Sequence, residues 1–329
     1  MRKRCTELDY AKGLAILLLV FSHCHPGEGV IKTWIFAFHM PIFYVVGGIL
    51  QNKRRMCDTA TRSIVLYLKK RGRQLVLPYY IWGLVLINFY QMLHVIAGEQ
   101  LTIGQQLFSL LTGQGIASLW FIPCYLIAEI LLIFVYSRLD NWQKRFCIVI
   151  GFASVFLGSF FGMPDFWLFK MGIKCIIAFL FMVMGYYGAI YIERASAWHG
   201  CLMLIVGSVL AEINGFVGIG ALELKNPILF FGDAVLISMA VIILFVTYVK
   251  NSSRELRVLT FFGRDSIVVL LTNNLLIELI RLLDYKITGN WFIETGLLGS
   301  FIMTIGVTLI EGGVIMLSHK KRIRVLFGK

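Results

Sequence analysis

Three hundred and twenty-nine residues are enough for two ordinary soluble domains, but 58% of them are hydrophobic and only 15% charged. A soluble domain has about 45–50% apolar and about 25% charged residues; with a mean hydropathy of +0.80, composition excludes that class. Lys and Arg number 31 against 18 Asp and Glu. In so apolar a chain the excess is first a question of which side of a bilayer carries it, and no nucleic-acid partner is expected.

A helix needs about 20 mainly apolar residues to cross a hydrocarbon core of about 30 Å. In chain order such runs fall at roughly residues 11–25, 31–50, 75–97, 119–137, 146–162, 171–191, 201–217, 229–249, 261–282 and 294–317. The pattern predicts an all-α integral membrane protein of about ten transmembrane helices, read as one polytopic domain over 1–329. The first run leads into His23, Cys24, His25 and Pro26 rather than a small-residue cleavage site, so it is read as a retained span and not a signal peptide. Alternating the connections between two faces puts 23 Lys and Arg on one, which holds Arg2 to Arg4, 51–74, 138–145, 192–200, 250–257 and the tail from His319. The other face has five: Lys32, Lys170, Lys174, Lys225 and Lys286. The positive-inside rule then places both termini in the cytoplasm, in a multi-pass protein of the plasma membrane in contact with its lipids. The seven cysteines are scattered without a CxxC pair, so no disulfide framework is expected. The hydrophobic pattern does not repeat between halves.

Ionisable residues within spans are costly and invite a functional reading. Lys12 opens the first span and His23 lies eleven residues later, about 16 Å deeper at helical rise. The second span runs back from Ile31, and His39 is eight residues in, about 12 Å from that edge. Two histidines are thus expected at matched depth near mid-membrane, with Ser22, His25 and Pro41 close by. Neutral histidine is the usual general base near pH 7, and an acceptor hydroxyl or amine must lose a proton to attack a thioester. His23 is the first candidate for that base; His39 is a second catalytic candidate, polarising the thioester carbonyl or holding the acceptor hydroxyl. The alternatives are simple cross-helix hydrogen bonds, or a metal site of His23, His25 and His39. No carboxylate or thiolate clearly completes such a site, and no metal is expected.

Lys69, Lys70, Arg71 and Arg73 crowd the start of the third span. Lys70 and Arg73, three apart, share a helical face that suits the phosphates of a nucleotide-bearing donor; the alternative is anchoring on anionic headgroups. Further polar residues within spans are Asn88, Glu129, Glu212, Asn214, Asp233 and Glu311. Glu278 and Arg281 are spaced as a structural pair, and Asn273 and Asn274 are expected to orient a substrate.

Five segments, LDYAKGLAILLLVFSH (8–23), FHMPIFYVVGG (38–48), KKRGRQLVLPYY (69–80), SLWFIPCYL (118–126) and LTFFGRDSIVVLLTNN (259–274), together resemble the membrane acyltransferase family 3, in its fucose 4-O-acetylase-like, polysaccharide O-acetyltransferase branch. The resemblance implies transfer of an acyl group, most often acetyl, from cytoplasmic acetyl-CoA or another acyl-CoA to a hydroxyl of a cell-surface glycan or lipid-linked sugar. Lys12 and His23 match the family's basic residue and histidine with ten residues between them, and Lys70 and Arg73 its basic pair; the resemblance therefore assigns Lys12, Lys70 and Arg73 to the donor. The Phe-His-Met-Pro segment makes His39 a second family position. The chain departs from the family in using Lys at 12 and 70, which loses bidentate geometry, and in having Gly47 before Gly48. It also has Thr272, Asn273 and Asn274 where many relatives carry a histidine. The rival readings are a transporter or flippase of a small metabolite or lipid-linked sugar, and a substrate-binding membrane module.

Overall fold

Long apolar runs in lipid give backbone N–H and C=O groups no water to bond, so each run closes its own hydrogen bonds as helix. The computed structural model describes residues 5–25, 29–54, 61–97, 103–162, 164–288 and 296–329, and among them no strand forms beyond one isolated bridge, Gly218 to Glu223. The helices are α1 (Thr6–Cys24), α2 (Val30–Phe38), α3 (Pro41–Arg54), α4 (Thr61–Ala97), α5 (Ile103–Leu111), α6 (Phe121–Arg138) and α7 (Asn141–Phe161), followed by α8 (Trp167–Ile192), α9 (Ala197–Asn214), α10 (Pro227–Asn251), α11 (Arg257–Arg264), α12 (Ser266–Thr288) and α13 (Gly296–Ser318). Arg2 to Arg4, Pro26 and Cys57 lie outside the described residues. Among the described residues no two cysteines are joined in a disulfide.

Nine stretches of the described chain are long and apolar enough to cross a membrane. The expected first span is the exception. α1 starts at Thr6 and carries Glu7, Asp9 and Lys12 in its first two turns, so its uncharged part begins only at Gly13. Three other boundaries differ from the sequence reading. The second span is a single stretch, Val30–Lys53, interrupted by a turn at His39 and Met40 ahead of Pro41. The basic residues before the third span ride on α4 itself, which begins at Thr61 and runs through Pro78. The ninth span breaks at Asp265 into α11 and α12.

Residue contacts group the chain into two units. The first combines residues up to Leu19 with Gly27–Val65 and Ile127–Arg264. Within it α3 packs along α8 and α9 along α10, while α10 also meets α2, α3 and α8. Tyr44, Phe38, Phe181 and Phe230 are its largest fully buried side chains. The α3–α8 crossing rests on two glycines. A Cβ at Gly48 would run into the carbonyl of Met182 and lie 2.8 Å from the amide nitrogen of Tyr186; one at Gly185 would run into the carbonyl of Val45. Small residues let membrane helices approach this closely. The same device joins α1 to α11, where a Cβ on Gly13 would meet the carbonyl of Leu259 and one on Gly263 the carbonyl of Asp9. Two of the family-like segments, 8–23 and 259–274, therefore meet at this crossing. The Tyr10 hydroxyl adds a bond from the Leu256 amide at 3.1 Å. Buried Glu129 accepts from the Gln51 carboxamide at 2.7 Å. Of the nine stretches α7 is the least enclosed, with 17% of its apolar part buried and exposed aromatics at both ends, Trp142 at one and Phe160 and Phe161 at the other. Asp140 caps it, its backbone N–H bonded in return by Gln143.

The second unit combines Val20–Pro26, Leu66–Leu126 and Asp265–Lys329. α12 packs on α13 and on the short turn Ala117–Trp120. The chain end folds back within this unit. Lys329 pairs with Asp265 at 2.6 Å, His319 reaches the same carboxylate at 3.1 Å, and Trp82 of α4 donates to the Leu326 carbonyl. Asp265 is thus a buried acid with two basic partners, which explains how it is tolerated at the break between α11 and α12.

Candidate active site

His23 is the penultimate residue of α1, where helix carbonyls have run out of intrahelical donors. α12 supplies what is missing. Arg281 donates from Nη2 to the His23 carbonyl at 3.3 Å and from Nη1 to Glu278 at 2.8 Å. A cation at a helix C-terminus also meets the negative end of the helix dipole. The Asn273 amide nitrogen lies 3.4 Å from the imidazole Nδ1 of His23. One helix therefore holds the backbone and the ring of the same histidine. Asn273 is fully buried and its Oδ1 has no hydrogen-bond partner among the described residues; such an atom ordinarily costs about 1–3 kcal/mol.

The neighbours of His23 are equally fixed. His25 Nδ1 is 3.0 Å from the Ser300 hydroxyl on α13, and its ring stacks on Phe21 at 6.0 Å. Asn274 donates to the Ser118 hydroxyl at 2.7 Å, and Ser118 donates to the Leu270 carbonyl. Ser118 reaches α12 because the chain before it is coiled through left-handed backbone at Gly113, Gly115 and Ala117. At Gly115 the requirement for glycine is double, since a Cβ would also strike the backbone of Trp120. Thr272, one residue before Asn273, faces both carboxylate oxygens of fully buried Glu311 at 2.9 and 2.7 Å.

Lys70 and Arg73 lie exposed on α4 in this unit, three residues apart as expected. Arg71 between them is half-buried, its guanidinium 5.6 Å from the centre of the Tyr125 ring. Lys12 and His39 belong to the first unit. Lys12 pairs with Asp9 at 2.9 Å. His39 is buried, packs edge-on against Phe36, and its Nδ1 lies 2.8 Å from the Ile35 carbonyl one turn back. A carbonyl only accepts, so Nδ1 carries the hydrogen and the neutral ring keeps its lone pair on Nε2. That tautomer suits holding a hydroxyl. It does not suit polarising a thioester carbonyl, which needs a hydrogen on Nε2.

The structure thus brings His23 and Asn273 together, sets Asn274 on Ser118, and gives Lys12 and His39 partners of their own. Sequence reading missed Arg281's grip on His23 and the roles of Ser118 and Thr272. No sequence spacing announces those contacts. Among the described residues no three His, Cys, Asp or Glu side chains gather as a metal site. A cleft of about 280 Å³ in the first unit is lined by Asn52, Lys53, Glu193 and Arg194 together with Ala189 and Ile190. There Lys53 bridges Glu7 at 3.4 Å and Glu193 at 3.6 Å.

An all-helical, multi-pass membrane protein with a histidine held at a helix end by a neighbouring helix is the class that this fold and site define. The chain belongs to the acyltransferase domain family, whose model matches residues 6–312. It is similar to the nodulation protein NolL of Mesorhizobium japonicum, 25% identical over 167 residues. That match covers 47% of this chain and 43% of NolL, so the chain spans less than half the length of this relative. No solved structure matches the chain.

Proposed function

We propose that the protein is an O-acyltransferase of the plasma membrane, moving an acetyl group from acetyl-CoA on the cytoplasmic side to a hydroxyl of a cell-surface glycan or lipid-linked sugar. The observation that carries this reading is His23, held by backbone and ring at the end of α1 within a chain of the acyltransferase domain family. The basic faces assigned to the cytoplasm by charge give the donor its side, and Lys70 and Arg73 on α4 take its phosphates, with Lys12 a further cation for the donor. His23 removes the proton of the acceptor hydroxyl as its oxygen attacks the thioester carbon. A C–O bond forms, the C–S bond breaks, and the imidazolium returns the proton to the departing thiolate as CoA–SH. His39 accepts a hydrogen bond from the acceptor at Nε2, and Asn273 and Asn274 present carboxamides on the acceptor's side of α12.

The test is transfer of label from radiolabelled acetyl-CoA to the glycan and lipid fraction of membranes containing the protein. A general base contributes typically about 10²–10⁴-fold, so His23→Ala is expected to lose that much rate while remaining folded and inserted. A folded His23→Ala with unchanged transfer refutes the assignment, and a wild type that makes no labelled ester refutes the reaction class and leaves transport.

A further inference from the structure

A neutral imidazole has one ring hydrogen, and its place decides what His23 can do. If Nδ1 accepts from the Asn273 amide nitrogen, the hydrogen sits on Nε2 and that nitrogen cannot take a proton. If the carboxamide is turned about its last bond, Oδ1 occupies the same place, Nδ1–H donates to it, and the lone pair lies on Nε2. The two ends of a carboxamide have nearly the same shape, so packing accepts either orientation. Chemistry distinguishes them, because only the second leaves His23 a base.

We propose that Asn273 is the positioning residue of the acyl-transfer reaction, its carboxamide oxygen holding His23 in the tautomer with Nδ1–H and its amide nitrogen turned to the acceptor's oxygen. This rests on the acyltransferase reading above. Three observations support it. Asn273 is wholly buried and 3.4 Å from Nδ1, so no water competes for the ring nitrogen from that side. The far end of its carboxamide has no hydrogen-bond partner among the described residues, as expected of a group whose partner arrives with the substrate. Arg281 on the same helix fixes the His23 carbonyl, so the ring meets Asn273 from a main chain that cannot drift. The choice of a neutral amide also has a consequence. A carboxylate would orient the ring equally well, but by attracting the imidazolium it would keep the base protonated to higher pH. Among the described residues, titratable or charged groups near His23 include Cys24 on α1, His25 just after it, Arg281 and Glu278 on α12, Tyr90 on α4, which senses both of those, and Glu311 on α13 through Thr272.

The experiment measures the initial rate of label transfer from acetyl-CoA against pH in membranes containing wild type, Asn273→Leu, Asn273→Asp and His23→Ala. Asn273→Leu keeps the branching at Cγ and removes the orienting oxygen; its rate at saturating acetyl-CoA is expected to fall about 10²-fold, with the KM for acetyl-CoA unchanged. Asn273→Asp is expected to restore most of that rate at high pH, with the acidic limb of the profile displaced upward by about one pH unit or more. An Asn273→Leu protein with wild-type rate and profile overturns the proposal, as does an Asn273→Asp protein whose acidic limb stays in place. If Asn273→Leu fails to fold, the Asn273→Asp profile decides alone. A wild type without transfer, or a fully active His23→Ala, refutes the underlying reaction instead; inactive His23→Ala beside an unaffected Asn273→Leu refutes only the positioning role.

Discussion

Gly48→Ala tests whether the α3–α8 crossing depends on backbone contact. The added methyl would run into the Met182 carbonyl oxygen and sit 2.7 Å from its carbon and 2.8 Å from the Tyr186 nitrogen, where ordinary contact begins at 3.4 Å; the carbon alone asks the helices to part by about 0.7 Å, and the oxygen asks for more. A gap of that size forfeits roughly a quarter to a half of the dispersion energy of each contact it opens. Overpacking of this kind typically costs about 1–3 kcal/mol, and the rigid backbone on the far side points to the upper half of that range. Gly185→Ala loads the same crossing from the other helix against Val45, so the double variant is expected to cost less than the sum of the singles, because one separation relieves both. Gly172→Ala, also on α8 but with open space around it, is the control; helix propensity alone makes it neutral or stabilising by up to about 1 kcal/mol. Unfolding of purified protein in mixed micelles, followed by circular dichroism, gives all four values. Wild-type stability in Gly48→Ala, or simple additivity in the double variant, refutes the close crossing.

Two further outcomes follow from contacts in the second unit. Lys70→Ala combined with Arg73→Ala is expected to raise the KM for acetyl-CoA about tenfold or more while leaving the saturated rate largely intact, since charge-assisted bonds are worth about 1.5–3 kcal/mol each; unchanged acetyl-CoA affinity reassigns the pair to lipid anchoring. Thr272→Val removes the hydroxyl that faces both oxygens of Glu311 and is expected to cost about 1–3 kcal/mol in the same unfolding assay, with Thr272→Ser recovering most of it. Equal losses in the two Thr272 variants refute that role for the hydroxyl.

What the sequence conveys well is set by regular geometry. Runs of about 20 apolar residues gave the spans because hydrocarbon thickness and helical rise are fixed numbers, and a three-residue spacing gave the Glu278–Arg281 pair because the helix surface repeats. The same periodicity holds a signal that was available and not used: His39 lies four residues after Ile35, within reach of its carbonyl, and that contact settles the tautomer of the ring. The α1 charges show the opposite failure. Hydropathy counted from residue 11 found a span, but Glu7, Asp9 and Lys12 are part of the helix and shorten its uncharged stretch. The contacts of His23 with Asn273 and Arg281, about 250 residues away in sequence, follow from how helices pack. Nothing in either segment's own periodicity encodes its partner. The glycines at 13 and 263 stand between these extremes, legible as parts of family-like segments but explained only when each is found against the other's helix.

α7 has a meaning outside the catalytic question. With little protein around it in its own unit, its depth and tilt respond to lipid; Lys144 and Arg145 keep one end at the headgroups, and from the exposed Phe146 beside them to Phe160–Phe161 is about 22 Å along the axis, somewhat less than the thickness of a typical hydrocarbon core. Aromatic rings favour the two interfaces. In a thinner bilayer this helix has to lean, and in a thicker one the lipid has to compress to meet it, each at a cost of fractions of a kcal/mol per ångström. α7 therefore ties the protein to a range of membrane thickness, and acyl-chain length in reconstituted vesicles becomes a variable that acts on the first unit through this helix.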